Sequence, residues 1–353
     1  MLIHLQKTLG VDVVHGIAGP QTRTPVVRVA EVPERLRTEG PPYSARNPVL
    51  RTRFCEGIMA LNARALHPLF VGEIDGVVLR NTHDRAALDE IKALLDRYGV
   101  VVFRDQPFED EEQIAFARRL DGELVMKVAR TVIDTAARLN APGITDISNL
   151  DENGAPLDRA DRRRMYSLGN RLWHTDASFQ NPPARYSMLS AKSVPDADGE
   201  TEYADMRAAY DALPPALQSQ IAGLSAFHSI IYSRQTIGFT EFSDAERAEF
   251  PGAEQPLVRV HPGSHRKSLY IASHASHVVG WPVPDGRLLL RELMALATLP
   301  QFVYRHQWRV GDFVIWDNRC MMHRGLPFDE TTQFRDLRRV TTLDVPAPAL
   351  APA

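Results

Sequence analysis

Three residues of metal-binding types stand out: His174 and Asp176 lie two positions apart, and His323 follows far downstream. Two imidazoles and one carboxylate can occupy one face of an octahedral Fe(II) ion and leave the opposite face open for a co-substrate and O2. On an extended segment His174 and Asp176 would point the same way, because side chains alternate along a strand. A His-x-Asp tripeptide alone more often marks a surface loop, so its surroundings decide what it means.

Two further residues suit a co-substrate with two carboxylates. Fe(II) with three protein ligands needs an oxidisable partner to split O2, and 2-oxoglutarate can chelate it through the 1-carboxylate and the 2-keto oxygen. The far carboxylate then needs a fixed cation and a hydroxyl group. Arg335 offers a bidentate guanidinium, and Thr201 offers the hydroxyl. We therefore predict an oxygenase site that uses Fe(II), 2-oxoglutarate and O2.

Two other classes of protein fit the same three ligands. A zinc hydrolase would use them to hold a reactive water, and a jelly-roll binding module would have no catalytic role for them. Thr201 and Arg335 argue against both classes, because neither class needs to hold the far carboxylate of 2-oxoglutarate.

Other residues that resemble metal ligands are predicted to be structural. Four histidines lie between positions 261 and 277 without the Cys/His spacing of a structural zinc site, and we predict a hydrogen-bonded scaffold role for His261, His265, His274 and His277. Cys320 has an odd offset from His323, which on a strand points it to the opposite face, so a small buried thiol is predicted. Three aromatic residues are expected to pack around the metal: Trp173, Phe179 and Trp316.

The elements that must position these residues are predicted from hydrophobic patterns. Helices are expected over 86–98, 110–120, 206–213, 214–224 and 288–299, and strands within 61–78 and over 100–103, 185–192, 257–260, 302–308, 312–316 and 339–343. The polar segment 140–171 is predicted to be a long loop that leads to His174 and acts as a lid. Together these elements predict a mainly β fold, a jelly-roll barrel buttressed by helices.

Composition divides the chain into three parts. Residues 1–57 are rich in Pro and Arg and are predicted to form a loosely ordered arm, with Met59 as a possible alternative start. Residues 58–345 are predicted to form the catalytic domain, and 346–353 an Ala/Pro tail.

Charge and cysteine content limit the partners. The formal net charge of -3 is spread along the chain, so nucleic acid is not expected as a partner. No segment approaches the ~20 apolar residues of a membrane span. Two cysteines are too few for a disulfide framework, which indicates a cytoplasmic protein. We expect a small-molecule substrate and a homo-oligomer.

Three runs make the chain resemble the taurine and 2,4-dichlorophenoxyacetate dioxygenase family over about residues 60–345. They are LWHTDASF at 172–179, GETEYADMRAAY at 199–210 and WDNRCMMHRG at 316–325. The resemblance implies a double-stranded β-helix and the Fe(II)/2-oxoglutarate reaction. It also implies that Thr201 and Arg335 hold the far carboxylate of 2-oxoglutarate, and that Arg339 binds the acidic head of the substrate. Arg338 stands beside Arg339, which leaves the register of the arginines open.

Substrate choice within this family is expected to differ from that of taurine enzymes. The resemblance implies that Asn170 contacts the substrate, but the substrate-binding His of the taurine branch would fall near 125–127, where this chain has none. Lys127 is a candidate cation there. We expect hydroxylation of the carbon between ether oxygen and carboxylate of an aryloxyalkanoate such as 2,4-dichlorophenoxyacetate, as in herbicide degradation. Taurine, another sulfonate, a sulfate ester or another small carboxylate is the alternative substrate.

Overall fold

The computed structural model describes residues 61–126, 138–139 and 141–345. The predicted arm at 1–57, the possible start at Met59 and the tail at 346–353 lie outside the described residues, so this division of the chain stays a prediction. Lys127 also lies outside them. None of the helices in the described ranges has the length and apolar character needed to cross a bilayer.

Fifteen strands form within the described residues. They are β1 (Asn62–Ala65), β2 (Gly72–Asp75), β3 (Val100–Phe103), β4 (Thr145–Ser148), β5 (Ala184–Ser193), β6 (Thr201–Asp205), β7 (Ser225–His228), β8 (Ala253–Pro256), β9 (Val258–Val260), β10 (Lys267–Leu269), β11 (Ala275–Val278), β12 (Val303–His306), β13 (Phe313–Asp317), β14 (Met321–Gly325) and β15 (Asp336–Leu343).

Eight α-helices and three short 3-10 helices accompany these strands in the same ranges. The α-helices are α1 (Arg85–Tyr98), α2 (Asp110–Asp121), α3 (Arg162–Ser167), α4 (Met206–Asp211), α5 (Pro215–Ile221), α6 (Ile230–Gln235), α7 (Asp244–Glu249) and α8 (Val283–Ala297). The 3-10 helices span Leu79–Asn81, Leu168–Arg171 and Pro300–Phe302.

Local sequence explains where the longer helices begin and end, as α1 shows. The Asp84 carboxylate accepts a hydrogen bond from the Ala87 amide and so satisfies a free N–H of the first turn. Gly99 ends the helix with a φ of 75°, a left-handed conformation that costs glycine little. Between them Leu88, Ile91 and Leu95 recur at helical spacing and are buried, so one face of α1 packs on the sheet below it.

Seven strands form the larger sheet, in the order β1-β2-β3-β13-β5-β15-β4. Neighbouring strands are antiparallel except β2 and β3. The last long strand of the chain, β15, begins one residue after Arg335 and contains Arg338 and Arg339. The larger sheet therefore carries the predicted arginines.

The smaller sheet carries the predicted histidines and the threonine. Its order is β12-β6-β14, with both pairs antiparallel. Thr201 is the first residue of β6, and His323 is the central residue of β14. His174 adds a single antiparallel bridge at His323. A further three-stranded sheet, β11-β7-β8, and the β9-β10 pair complete the described β structure.

Alternating side chains build separate cores on the two faces of each sheet. On β13, Phe313 and Ile315 pack with α1 and α2, whereas Val314 and Trp316 pack with Tyr203 of the smaller sheet. The far face of the smaller sheet meets α4 and α8 in a third apolar cluster that includes Met322. Because one face of each sheet is turned towards the other, residues of β6, β14 and β15 reach a common space between them.

The structure corrects two expectations about local elements. The segment 140–171 is not one long loop, because it contains β4 and α3. Asp176 does not continue an extended segment with His174; it lies in a turn in which Ala177 has a φ of 50°. Strand alternation is therefore not what aims the Asp176 carboxylate.

Candidate active site

Backbone pairing brings the two distant histidines together. The His174 amide donates to the His323 carbonyl over 3.0 Å, and the His323 amide donates to the His174 carbonyl over 2.8 Å. The ring centroids are 4.2 Å apart, and both residues are buried. The proximity of the imidazoles is thus set by the edge of the smaller sheet.

Asp176 is positioned by an asparagine that the sequence motifs did not single out. The Asn318 side-chain oxygen accepts a hydrogen bond from the Asp176 amide over 3.0 Å, and the Asn318 carbonyl accepts one from the Thr175 hydroxyl over 2.8 Å. Asn318 lies in the connection between β13 and β14, within the same run as His323. This link fastens the turn of Asp176 to the strand that carries His323.

The three side chains converge on one point. Nε2 of His174 lies 4.0 Å from Oδ1 of Asp176, and Nε2 of His323 lies 3.9 Å from Oδ2 of Asp176. All three candidate ligand atoms lie within 4.8 Å of one another. Ligand atoms about 2.0–2.2 Å from one ion lie roughly 3–3.5 Å apart, so a small inward movement of these side chains would let them hold a single first-row metal ion.

Burial keeps the imidazoles in the neutral form that binds metals. Burial lowers the pKa of His174 to about 4, and burial together with the neighbouring His174 lowers the pKa of His323 well below its usual value. The Nδ1 of His174 lies 2.7 Å from the Leu172 carbonyl, to which a protonated Nδ1 donates. The lone pair of Nε2 is then directed towards Asp176 and His323.

The carboxylate of Asp176 stays ionised in spite of its burial. Burial alone would raise its pKa, but the guanidinium of Arg339, together with the hydrogen bond from Ser187, holds that pKa at about 2. Arg339 donates to Oδ1, and the Ser187 hydroxyl donates to Oδ2 over 2.7 Å. Two neutral imidazoles and one carboxylate form a donor set that fits Fe(II).

A first pocket opens from the triad towards Thr201 and Arg335. Arg335 donates to the Gly199 carbonyl over 3.2 Å and to the Thr201 hydroxyl over 3.4 Å, and the same hydroxyl accepts from Trp308 over 3.0 Å. Burial lowers the pKa of Arg335 to about 10, so the guanidinium is charged at neutral pH. No carboxylate among the described residues forms an ion pair with it, so an anionic ligand would complete its surroundings.

A second pocket adjoins the first at His174 and also reaches Asp176. Its lining includes six apolar or aromatic side chains, which are Val125, Ile147, Tyr166, Ala177, Phe179 and Ile230. Asn170 and Arg339 line both pockets. The first pocket thus offers Thr201 and Arg335 to a dicarboxylate, and the second offers Arg339 beside apolar and aromatic side chains.

Because side chains alternate along β15, Arg338 and Arg339 lie on opposite faces of the strand, and only one of them faces the triad. Arg338 forms an ion pair with Asp336 at 2.8 Å and approaches Asp110 at 3.6 Å, and it lines neither pocket. Arg339, on the opposite face of the strand, meets Asp176. The residue roles implied by the resemblance stay predictions, but the positions of Arg335 and Arg339 are compatible with them.

A second buried group of metal-ligand types is occupied by protein contacts. Asp317 accepts from Arg319 over 2.6 Å and lies 2.8 Å from Nε2 of His261, while Cys320 is a buried free thiol. Nδ1 of His274 lies 2.9 Å from the Ser233 hydroxyl. These contacts agree with a scaffold role, because each oxygen of Asp317 has at least two hydrogen-bond contacts, from Arg319 and His261.

The chain is similar to known dioxygenases over most of its length. The family model described as "Taurine catabolism dioxygenase TauD, TfdA family" matches residues 62–341. The alpha-ketoglutarate-dependent 2,4-dichlorophenoxyacetate dioxygenase of Cupriavidus pinatubonensis is 47% identical over 81% of this chain and 99% of the relative. The (S)-phenoxypropionate/alpha-ketoglutarate-dioxygenase of Sphingobium herbicidovorans is 36% identical over 77% of this chain and 91% of the relative.

Similarity to a solved structure confirms the predicted fold class. The crystal structure of AAD-2 in complex with Mn(II) and N-oxalylglycine is 44% identical, with a TM-score of 0.77 over 81% of this chain and 98% of that one. The predicted dependence on Fe(II) and 2-oxoglutarate is confirmed as well. The chain is therefore a 2-oxoglutarate-dependent dioxygenase that belongs to the taurine catabolism dioxygenase TauD, TfdA family.

Proposed function

We propose that this enzyme hydroxylates the carbon between the ether oxygen and the carboxylate of an aryloxyalkanoate such as 2,4-dichlorophenoxyacetate. The observation that carries this proposal is that two pockets meet at one triad. The first contains the Thr201–Arg335 pair, and the second places Arg339 beside apolar and aromatic side chains such as Phe179. Two relatives are dioxygenases of 2,4-dichlorophenoxyacetate and of (S)-phenoxypropionate, which supports the aryloxyalkanoate class.

His174, Asp176 and His323 are the proposed ligands of Fe(II). When bound, the metal supplies activation of O2, with one oxygen atom passing to succinate and the other to the substrate. In the same reaction the 1-carboxylate of 2-oxoglutarate is released as carbon dioxide. The hydroxylated ether carbon is a hemiacetal, which collapses to a phenol and an oxo acid; the oxo acid is glyoxylate when the substrate is an acetate.

Thr201 and Arg335 are the proposed binding residues for the far carboxylate of 2-oxoglutarate. The guanidinium and the hydroxyl lie together in the first pocket, and Trp308 fixes the hydroxyl by donating to it. A charge-assisted contact of this kind is worth about 1.5–3 kcal/mol. It would orient the co-substrate so that its other end faces the triad.

Arg339, Asn170 and Lys127 are the proposed substrate-binding residues. Arg339 lies between the two pockets and contacts Asp176, so it can also hold the acidic head of a substrate near the triad. Asn170 lines the same space. Lys127 lies outside the described residues, and its role rests on its place in the sequence. Fixing the acidic head determines which C–H bond faces the triad.

A substrate panel tests this proposed function. The purified protein would be incubated aerobically with Fe(II), ascorbate, 2-oxoglutarate and each candidate acid, and succinate and phenol would be measured. We expect equal amounts of both products from 2,4-dichlorophenoxyacetate. Turnover of taurine, another sulfonate or a sulfate ester without any turnover of aryloxyalkanoates would overturn the substrate proposal. Product formation without O2 would point to hydrolysis instead.

We also propose that the enzyme acts in the cytoplasm as a homo-oligomer. Its chain has only two cysteines, and the described one, Cys320, is a free thiol. Val283 and Leu288 are exposed on α8, at 44% and 52%, and such side chains suit a contact between copies. Light scattering after size-exclusion chromatography would give the mass, and a monomer at micromolar concentration would contradict the oligomer.

A further inference from the structure

A buried arginine that the sequence motifs did not include faces the second pocket. Arg234 belongs to the short helix α6 and is only 4% exposed. It lines the second pocket together with His174, Asp176 and Phe179. Its position therefore places a guanidinium in the space proposed for the substrate.

The contacts of this guanidinium are all with neutral groups. Arg234 donates to the Asn170 side-chain oxygen over 3.1 Å and to the Ser233 hydroxyl over 3.4 Å. Its guanidinium carbon lies 4.4 Å from the centre of the Tyr166 ring, and the Tyr166 side chain also hydrogen-bonds to it. Nε has no hydrogen-bond partner, and no ion pair joins Arg234 to an acid within the described residues.

Two other deeply buried arginines, which line neither pocket, each have a carboxylate partner. Arg207 pairs with Asp205 at 3.1 Å, and Arg319 pairs with Asp317 at 2.6 Å. A buried charge is costly unless it is paired, and burial lowers the pKa of Arg234 accordingly. The missing counterion distinguishes Arg234 from these structural arginines and indicates that a ligand supplies it.

The charges at the triad end of the pocket do not supply that counterion. Arg339 and Asp176 are close enough for both charges to act on the pKa of Arg234, and their effects oppose each other. Asp176 is already engaged by Arg339 and Ser187. An anion that entered the second pocket would thus meet Arg234 as an uncompensated positive charge.

The 3-10 helix beside the pocket fixes the position of this guanidinium. A Cβ atom added at Gly169 would lie 2.2 Å from one terminal nitrogen of Arg234, a distance at which the side chain must move. Gly169 is followed by Asn170, which accepts the Arg234 hydrogen bond. The absence of a side chain at position 169 therefore lets Arg234 reach the pocket wall.

We propose that Arg234 binds the carboxylate of the substrate in the second pocket and makes the enzyme select acids over uncharged analogues. The inference rests on the proposed function, because it assigns a residue to the recognition of that substrate. Arg339 would approach the same carboxylate from the triad side. Asn170 would act as a positioning residue, since it holds the guanidinium of Arg234.

Two variants separate the charge of Arg234 from its packing. Arg234→Met keeps most of the side-chain volume and removes the charge, whereas Arg234→Lys keeps the charge without the planar fork. Binding of 2,4-dichlorophenoxyacetate and of its neutral amide would be measured by calorimetry on protein loaded with Mn(II) and 2-oxoglutarate. We expect Arg234→Met to weaken binding of the acid by about 10- to 100-fold and to leave the amide and 2-oxoglutarate unchanged. Arg234→Lys should recover part of the loss.

A control variant at Arg287 and a second test variant at Gly169 complete the experiment. Arg287 lies over the ring of Tyr232, a residue of α6, at 5.1 Å. It is exposed and does not line the pocket, so Arg287→Met should bind the acid normally. Gly169→Ala should weaken acid binding even though Arg234 keeps its charge. This second variant keeps the proposal testable if Arg234→Met does not fold.

Two outcomes distinguish a failure of this inference from a failure of the proposed function. If wild type converts aryloxyalkanoates and Arg234→Met retains its preference for the acid over the amide, Arg234 is structural and the inference is overturned. If wild type converts none of them, the proposed function fails. Binding of a panel of arylacetates and arylpropionates to both proteins then tests Arg234, and equal affinities would overturn the inference.

Discussion

At the triad, each side chain has a distinct cause for its position. A backbone bridge sets the distance between His174 and His323, whereas a turn held by Asn318 delivers Asp176. The second buried group, His261, Asp317 and Cys320, has similar residue types, but its carboxylate is used by Arg319. The two groups differ in how heavily the carboxylate is used: each oxygen of Asp176 accepts one hydrogen bond, whereas each oxygen of Asp317 has at least two contacts.

Replacing one triad histidine should remove the metal, and replacing the second group should not. We expect His174→Ala to lose binding of Mn(II), because two remaining ligands hold a divalent ion poorly. Cys320→Ala should bind one equivalent, as wild type does. Calorimetric titration of metal-free protein measures both. Two equivalents in wild type, or one equivalent in His174→Ala, would contradict this assignment.

The two arginines of the site should affect different ligands. Arg335→Gln removes the cation beside Thr201, and we expect KM for 2-oxoglutarate to rise by about 10- to 100-fold with little change in KM for the substrate. Arg339→Ala should mainly raise KM for the substrate. Steady-state kinetics with each ligand varied in turn checks both. An equal loss of 2-oxoglutarate affinity in Arg339→Ala would show that the roles are exchanged.

At this scale the sequence reveals residues with distinctive chemistry and misses those that act through contacts. His174, Asp176, His323, Thr201 and Arg335 could be selected because their types and spacing match one reaction. Asn318 and Arg234 could not, because an asparagine after a strand and an arginine in a short helix are common features. Their positions depend on tertiary contacts over long sequence separations.

Among the elements, the end of β13 and its connection to β14 contain two residues that support the triad. Asp317 ends β13 and is completely buried between Arg319 and His261. The next residue, Asn318, holds the turn of Asp176. A buried charge network therefore supports the residue that positions a proposed metal ligand.

Removing the charge of Asp317 should destabilise the protein. We expect Asp317→Asn to lower the free energy of unfolding by about 3–5 kcal/mol, because buried Arg319 would keep only the more distant carboxylate of Asp96, at 3.9 Å. Asp89→Asn, which removes an exposed partner of Arg85 on α1, should cost less than about 1 kcal/mol. Urea denaturation of both variants measures the difference. Similar losses in the two would show that the network does not stabilise the fold.

Elements with a regular hydrophobic pattern were predictable, and short strands held by their partners were not. Helix α1 and strands β3 and β5 follow from apolar spacing and a terminal glycine. In contrast, β4 lies in the polar segment 140–171, and pairing with β15 makes it a strand. The register of that pairing involves residues almost two hundred positions away, which no local pattern encodes.

For the whole molecule, buried histidines couple stability to pH. His228 is completely buried, its Nδ1 lies 2.9 Å from the Ser178 hydroxyl, and its ring stacks on Tyr270. Burial and the nearby Arg259 charge lower its pKa to about 3. The unfolded chain takes up this proton near the ordinary value of 6.5, so the folded state is favoured above that pH and loses stability as pH falls towards 3.

Replacing His228 should flatten this dependence. Between pH 6.5 and 5 the unfolded state binds about one more proton at this site, which costs roughly 1.4 kcal/mol per pH unit. We expect His228→Asn to lose about 1–2 kcal/mol less stability than wild type between pH 7.5 and 5. Chemical denaturation of the metal-free proteins at both pH values gives the comparison. Equal losses of stability in the two proteins would show that another group causes the pH dependence.

The bridge between His174 and His323 also has a mechanical consequence. These residues are separated by roughly 150 positions, and a metal ion shared by them and Asp176 would act as a reversible cross-link that closes this long loop. Since only the folded chain presents the three ligands together, metal at 100 times its dissociation constant adds about 2.7 kcal/mol of stability. The supply of iron would then set the stability of the folded enzyme as well as its activity.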